Sequence, residues 1–193
     1  MHEERLIYSV LEESINIKKE FVEKNIENII SLAKKIAEAF SKDNKLLLCG
    51  NGGSAADAQH IAAEFVNRFI LERTPLPAIA LTTDTSIITS IANDYSFEHV
   101  FSKQIKAIGR SGDVMLAIST SGNSENVIQA VNTAKDMGIY TAALTGGDGG
   151  RLAKIVDIPI IVASNSVPRV QEVHIMAGHI ICQLVDYILF EKE

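Results

Sequence analysis

The sequence predicts an α/β protein in which a five-stranded parallel sheet lies between two layers of helices, a three-layer α-β-α sandwich with a helical extension at its N-terminus. Three observations support this fold class. Five short and nearly continuous apolar runs follow one another along the chain, each bounded by Gly, Asp, Asn or Pro. Helical patterns separate these runs, and residues 3–40 carry apolar positions at helical spacing. Such alternation is typical of a parallel sheet covered by helices on both faces.

The apolar runs show no alternation of apolar and polar residues, which indicates strands that are buried on both faces. We therefore expect strands at 45–50, 77–82, 113–120, 140–146 and 157–164. Helices are expected at 54–70, at 85–108 with a break near "NDYS", and at 124–137, 150–155 and 168–190. Residues 3–40 form either two helices or one bent helix that ends at "SKDNK".

Composition limits the classes of function. A chain of 193 residues with 47% hydrophobic residues can bury a full core, and no linker interrupts it, so we expect one domain over residues 1–193. Cys49 and Cys182 both lie in apolar runs, which is typical of core residues in a reducing cytoplasm. The net charge of -6, without a basic stripe, argues against general nucleic-acid binding. The opening "MHEERLIYSVLEES" resembles neither a leader nor a membrane anchor, so we expect a cytoplasmic protein.

Two loops at the carboxyl ends of predicted strands carry glycine and polar residues, and ligands of open parallel sheets bind there. The first, "GNGGSAAD", allows close backbone approach, and Ser54 is expected to cap the helix that follows. The second, "STSGNSEN" at 119–126, gathers hydroxyl and backbone N–H groups at a helix start, which suits a phosphate. Neither loop has a nucleotide-binding pattern, so a small phosphorylated molecule is favoured. A plain turn with a helix cap is the alternative.

His60 and Glu64 lie four residues apart and therefore on one face of the helix after the first loop. Small neighbours leave the two long side chains in a recess: Ala55, Ala56, Ala58, Ala62 and Ala63. This favours a functional pair over the alternative, an ordinary surface pair that contributes about 0.3 kcal/mol. His174 and His179 in the last helix lie roughly 140° apart around its axis, so both cannot serve one site from one face of the helix. Either could also be a core or interface histidine.

Four segments together resemble the bacterial phosphoheptose isomerases of the sugar isomerase (SIS) domain superfamily: "CGNGGSAADAQHIAAEFVNRF", "IANDYSFEHVFSKQI", "ISTSGNSENVIQA" and "QEVHIMAGHIICQLVD". The likeness spans almost the whole chain, whereas "STSGNSEN" alone would indicate only the superfamily. The resemblance implies the SIS fold, which is flavodoxin-like, and a homotetramer with one zinc ion per subunit. It also implies conversion of sedoheptulose 7-phosphate to D-glycero-D-manno-heptose 7-phosphate, the first step toward the heptose of surface glycans.

Carried over position by position, the resemblance implies three overlapping groups of site residues. The substrate contacts are Asn51, Gly52, Gly53, Ser54, Glu64, Asn93, Asp94, Ser119, Thr120, Ser121, Ser124 and Gln171. Among them, Ser119, Thr120, Ser121 and Ser124 hold the phosphate. Glu64 is the catalytic base and His179 its partner acid. The zinc ligands are His60, Glu64, Gln171 and His179.

The chemistry of the residues supports these roles. An aldose–ketose isomerase takes a proton from the carbon beside a carbonyl, stabilises an enediolate and returns the proton to the neighbouring carbon. One carboxylate can make both transfers, which favours Glu64, while His179 or a metal would polarise the oxygens. Gln171 and His179 lie about 12 Å apart along a straight helix, near the limit of side-chain reach. Glutamine is also a weak ligand for zinc.

A different class of function stays open. Some chains with the SIS fold are non-catalytic and bind phosphosugars as regulators, and one is a tetramer that associates with the replication initiator. A binder of that kind needs the phosphate loop but no acid, base or metal ligands, and all of these are present here. The amphipathic first 40 residues and the apolar last helix exceed what a five-stranded sheet needs to cover it. We therefore expect residues 1–40 to pack between subunits, close to the active sites.

Overall fold

The structure is a computed structural model that describes residues 2–191. Its five strands form one entirely parallel sheet in the order β2-β1-β3-β4-β5, which confirms the predicted fold class. The strands are β1 Leu46–Gly50, β2 Ala78–Ala80, β3 Val114–Ser119, β4 Tyr140–Gly146 and β5 Ile158–Val162. The helices are α1 His2–Ser41, α2 Gly53–Val66, α3 Thr85–Asp94, α4 Ser102–Ile108, α5 Glu125–Asp136 and α6 Val167–Asp186. Single turns of 3-10 helix cover Phe97–His99 and Leu152–Lys154, and a π-helical turn covers Tyr187–Glu191.

The sheet divides the core into two layers because successive side chains of a strand point to opposite faces. Leu46 and Leu48 of β1 pack with α1, α2 and α6, whereas Leu47 and Cys49 pack with α4 and α5. All of β1 and β3 is buried, as the unbroken apolar runs predict. Cys182 lies in the layer opposite Cys49, and both thiols are free and buried. The two cysteines are therefore core residues, as predicted.

The predicted helices differ from the observed ones at their ends. The N-terminal pattern is one continuous helix of 40 residues, not two. The break near "NDYS" is confirmed, because α3 ends at Asp94 and the turn Phe97–His99 precedes α4. The expected helix at 150–155 is a single 3-10 turn. Helix α2 ends at Val66 rather than at residue 70, and β2, an edge strand that pairs only with β1, has three residues rather than six.

Helix α6 lies inside the helical layer that it shares with α1 and α2. Among the described residues, the segment Val167–Glu191 is the one long and apolar enough to cross a membrane by length and composition. However, α6 packs in the core, where Val173, Ala177 and Ile181 are at most 1% exposed. It is therefore a core helix of the fold.

Helix α1 has two parts that differ in burial. From Ser14 onward its apolar face covers the sheet and α6, and the Ser14 hydroxyl donates a hydrogen bond to Glu172 Oε2 on α6 at 2.7 Å. Residues 2–13 are exposed, although they include several large apolar side chains: Leu6, Ile7, Tyr8, Val10 and Leu11. The first three turns of α1 thus present an apolar surface that this chain does not cover itself.

Candidate active site

The two predicted ligand loops are neighbours at the carboxyl edge of the sheet. The chain places β2 on one side of β1 and then crosses to place β3 on the other, so the loops after β1 and β3 border the point where the topology reverses. Open parallel sheets bind their ligands at this point. Gly50 at the end of β1 permits the close packing there, because a Cβ atom would lie 2.8 Å from the carbonyl oxygen of Ile118.

The loop after β3 has the geometry expected of a phosphate cradle. The Ser119 and Ser124 hydroxyl oxygens lie 3.2 Å apart, and Ser124 immediately precedes α5. The Ser121 hydroxyl accepts a hydrogen bond from the N–H of Asn123 at 3.2 Å. The positive end of the α5 dipole therefore faces a group of hydroxyls, as an anion site requires. A cavity of about 840 Å³ opens beside Thr120 and Ser121 and extends to the loops after β4 and β5.

A second glycine-rich loop, residues 146–152, braces this phosphate loop. The N–H of Gly146 donates to Thr120 O and that of Leu152 donates to Gly122 O, each at 3.0 Å. Gly122 has a φ of +64°, and a Cβ atom there would lie 2.1 Å from the carbonyl oxygen of Gly149. The glycine run of this loop, "GGDGG", is the only trace of its bracing role in the sequence of residues 146–152.

The side chain of Asn51, a predicted substrate contact, is paired with Asn126, a contact that no sequence motif indicates. Asn51 Nδ2 donates to Asn126 Oδ1 and Asn126 Nδ2 donates to Asn51 Oδ1, both at 2.9 Å. Asn126 is buried in the first turn of α5. The two reciprocal bonds tie the loop after β1 to the phosphate loop and fix how the Asn51 amide is oriented.

The start of α2 is shaped by glycines and not by a side-chain cap. Gly52, with a φ of +55°, occupies the cap position and Ser54 lies buried in the first turn, so the predicted capping role of Ser54 is wrong. Gln171 of α6 lies against Gly53, where a Cβ atom would be 2.4 Å from Gln171 Nε2. Gly53 is therefore needed for the close approach of α6 to the loop after β1.

Helices α2 and α6 lie side by side and run in the same direction, since Gly53 contacts Gln171 and Ile61 contacts Gly178 further along both helices. At Gly178 the helices are so close that a Cβ atom would lie 2.6 Å from Ile61 Cδ1. This close packing brings His179 to His60.

His60, Glu64 and His179 form a cluster, called here the His-Glu-His group. His60 Nε2 lies 3.1 Å from Glu64 Oε1 and 3.0 Å from His179 Nε2. One ligand atom from each of the three residues falls within 4.8 Å of the other two. Tetrahedral ligands at about 2.05 Å from a metal are separated by about 3.3 Å, so the group can hold a metal ion by spacing and ligand type. The His60 side chain is 50% exposed and that of Glu64 23% exposed, so the group is open to a ligand.

Two further polar residues lie near this group or within its helices. Asp57 precedes His60 by one turn, and its buried Oδ2 has no hydrogen-bond partner among residues 2–191. Burial raises the pKa of Asp57, and the nearby His60 opposes that shift. His174 is fully buried, and burial lowers its pKa to about 4, which the backbone of Thr145 opposes. His174 is thus a neutral core histidine at pH 7, one of the two alternatives that the sequence left open.

Asn93 and Asp94, the remaining predicted substrate contacts, lie apart from the other site residues. They are exposed on the last turn of α3, where Asn93 Nδ2 donates to Asp94 Oδ1 at 2.9 Å. Helix α3 belongs to the layer on the opposite face of the sheet from α2 and α6.

A parallel sandwich with an anion cradle at its topological switch point defines a doubly-wound α/β domain that binds a phosphorylated ligand, and the SIS domain family matches residues 11–146. A phosphoheptose isomerase from Nitratidesulfovibrio vulgaris strain Hildenborough is 51% identical over 97% of this chain and 90% of its own length. The structure of a phosphoheptose isomerase from Neisseria gonorrhoeae is 45% identical, with a TM-score of 0.90 over 96% of this chain and 99% of that one. The corresponding structure from Francisella tularensis is 40% identical, with a TM-score of 0.92 over the same shares of the two chains.

The chain therefore belongs to the SIS domain family and, within it, to the phosphoheptose isomerases. These are sugar-phosphate isomerases. The resemblance inferred from the four sequence segments is confirmed by likeness over nearly the whole chain.

Proposed function

We propose that this chain interconverts D-sedoheptulose 7-phosphate and D-glycero-D-manno-heptose 7-phosphate in the cytoplasm, as the first step of ADP- or GDP-heptose synthesis for surface glycans. The observation that carries the proposal is the His-Glu-His group on two paired helices whose first turns lie beside the phosphate loop. A regulator that only binds a phosphosugar would need the phosphate loop alone. The carboxylate and two imidazoles within hydrogen-bond distance of each other favour an enzyme.

The phosphate group is held by Ser119, Thr120, Ser121 and Ser124 at the start of α5. This contact anchors carbon 7, so the carbonyl end of the opened sugar extends past the glycine loop after β1. Glu64 takes the proton from the carbon beside the carbonyl and returns it to the neighbouring carbon. His179 polarises the oxygen on which negative charge develops, and it passes the hydroxyl proton that one oxygen loses to the neighbouring oxygen. The two transfers pass through an enediolate.

The His-Glu-His group, with Gln171 as a fourth ligand, is proposed to hold one zinc ion per subunit. The nitrogen and oxygen ligand types and their spacing support zinc. When bound, zinc would take the place of His179 as the group that stabilises the developing oxyanion, by supplying a positive charge. Gln171 is the least well placed of the four, because it contacts Gly53, seven residues or about 10 Å before His60 along α2.

The experiment that tests this function is a turnover assay on sedoheptulose 7-phosphate, with the aldoheptose phosphate detected by NMR. We expect a mixture of the two sugar phosphates to form whether the reaction starts from the ketose or from the aldose. A chelator should lower the rate. Sedoheptulose without the phosphate should react far more slowly, because the phosphate loop then contributes nothing. Tight binding of the phosphosugar without any turnover would favour a non-catalytic regulator instead.

We further propose a homotetramer in which α1 packs between subunits near the active sites. The apolar side chains on the first three turns of α1 support this, since Leu6 and Ile7 are more than 60% exposed in the single chain. Asn93 and Asp94 would then contact a substrate held mainly by a neighbouring subunit.

Light scattering at micromolar concentration is expected to report a tetramer. The variant Leu11→Glu, which places a charge on the apolar face of α1, is expected to shift the population to smaller species. The matched variant Glu12→Gln, at the exposed neighbouring position, should leave the tetramer intact. A monodisperse monomer of the unaltered chain would contradict the proposed assembly.

A further inference from the structure

Arg73, in the loop between α2 and β2, forms a buried ion pair with the end of α6. Its Nε donates to Asp186 Oδ1 at 2.9 Å, and the two side chains are only 2% and 5% exposed. Asp186 Oδ2 is also buried and has no hydrogen-bond partner among residues 2–191. Removing two charges from water is costly, and a buried ion pair does not by itself stabilise a fold more than apolar residues would. A role beyond stability therefore has to be considered for this pair.

The other guanidinium nitrogens of Arg73 bind the end of α2. One terminal nitrogen donates to Glu64 O at 3.0 Å and the other to Phe65 O at 2.7 Å. The last four carbonyl groups of a helix have no partner within the helix, and Arg73 satisfies two of them. Arg73 thus caps α2 at the residue that carries the carboxylate of the His-Glu-His group.

Asp186 extends this link to the second helix of the group. It lies seven residues, or about two turns, after His179 and therefore on the same face of α6. Cys182 lies between them on α6, and the pKa of its thiol is raised by burial and by the nearby Glu64 and Asp186, with Arg73 opposing. The buried Cys182 thiol is thus within electrostatic reach of Glu64, Arg73 and Asp186.

We propose that Arg73, held by Asp186, is a positioning residue that sets the spacing between Glu64 and His179. It thereby controls the metal affinity of the His-Glu-His group and the rate of proton transfer by Glu64. This inference rests on the proposed function of that group. Arg73 contacts the backbone of Glu64 and not its carboxylate, so it acts through the helix end. The planar, forked guanidinium reaches Asp186 and both carbonyls at once, which a lysine ammonium cannot do.

The test uses full-length protein that is stripped of metal and then titrated with Zn²⁺, together with kcat and KM for sedoheptulose 7-phosphate. Arg73→Met leaves a buried unpaired carboxylate and can fail to fold, so the double variant Arg73→Met/Asp186→Leu, which removes both charges, is measured beside it. We expect the Zn²⁺ affinity and kcat of the double variant to fall about ten-fold or more. We expect KM to change less than about three-fold, because the phosphate loop lies on other elements. Arg73→Lys should recover little of the loss.

A matched control separates positioning from loss of stability. Lys45 and Asp113 form a second, partly buried ion pair, with 2.7 Å between Nζ and Oδ2 and side chains 17% and 0% exposed, before β1 and β3 at the opposite edge of the sheet. Lys45→Met should lower the melting temperature but leave Zn²⁺ affinity and kcat unchanged.

Unchanged Zn²⁺ affinity and kcat in the Arg73→Met/Asp186→Leu variant, or equal losses in Lys45→Met, would overturn the positioning role. In either case, normal zinc binding and turnover by the unaltered chain would leave the proposed function standing. A chain that neither binds Zn²⁺ nor turns over the sugar would overturn the proposed function, and this inference with it.

Discussion

Glu64→Gln is expected to lower kcat about 100-fold or more, the usual scale for loss of a general base. The amide keeps the shape of the side chain and most of its hydrogen bonding, but it cannot accept the proton that the enediolate mechanism removes from carbon. Glu64 is partly exposed, and its contact with His60 four residues earlier is of a kind that contributes only about 0.2–0.5 kcal/mol to a helix. The variant should therefore stay folded, assembled and able to bind the substrate, so that kcat falls while substrate affinity remains.

Glu38→Gln is the matched control for Glu64→Gln. Glu38 is also a glutamate on a helix, and it forms exposed ion pairs with Lys35 and Lys42 near the end of α1. Losing such a surface ion pair costs less than about 1 kcal/mol and should not change turnover. Near-normal turnover in Glu64→Gln would mean that another group moves the proton, with His179 the first to test. Solvent deuterium in the product, from a reaction in heavy water, would independently support proton transfer through an exchangeable base.

The layers of the fold were predictable from the sequence because both faces of the inner strands are apolar. The unbroken run "KLLLCG" is a strand that packs Leu46 and Leu48 on one face and Leu47 and Cys49 on the other. Helix ends were less predictable where they depend on distant contacts. Helix α2 ends at Val66, where Arg73 caps the carbonyls of Glu64 and Phe65, and no local pattern indicates that contact.

Two kinds of information in the sequence predicted the candidate site: the local spacing of its residues and the resemblance to a known family. Contacts between distant segments were not predictable. His60 and Glu64 share a helix face by their spacing of four residues. The contact of His60 with His179, 119 residues later, depends on the close packing of two helices at Gly178. The roles of Asn126 and Arg73 depend on tertiary hydrogen bonds alone. The one signal for Arg73 was its partner, since Asp186 is a charge inside the apolar segment "CQLVDYILF".

Replacing Ser121 and Ser124 together by alanine is expected to weaken binding of the phosphosugar at least 100-fold. Hydrogen bonds to a charged group contribute about 1.5–3 kcal/mol each, and two of them are removed. The loss of Ser124 also removes the hydroxyl that lies 3.2 Å from Ser119 Oγ and precedes α5. The fold should survive, because these side chains belong to a loop whose backbone is braced by Gly146 and Leu152. KM, and the inhibition constant of inorganic phosphate, would measure the effect.

Ser41→Ala/Ser111→Ala is the matched control for the phosphate loop, since Ser41 ends α1 and Ser111 precedes β3 at the opposite edge of the sheet. It should leave KM unchanged. The Ser121 and Ser124 variant should raise KM and leave the Zn²⁺ affinity unchanged, whereas Glu64→Gln should lower kcat and leave phosphate affinity unchanged. The phosphate loop and the His-Glu-His group lie on different elements, so the two effects should separate. An unaltered KM after both serines are replaced would mean that these two hydroxyls do not hold the phosphate.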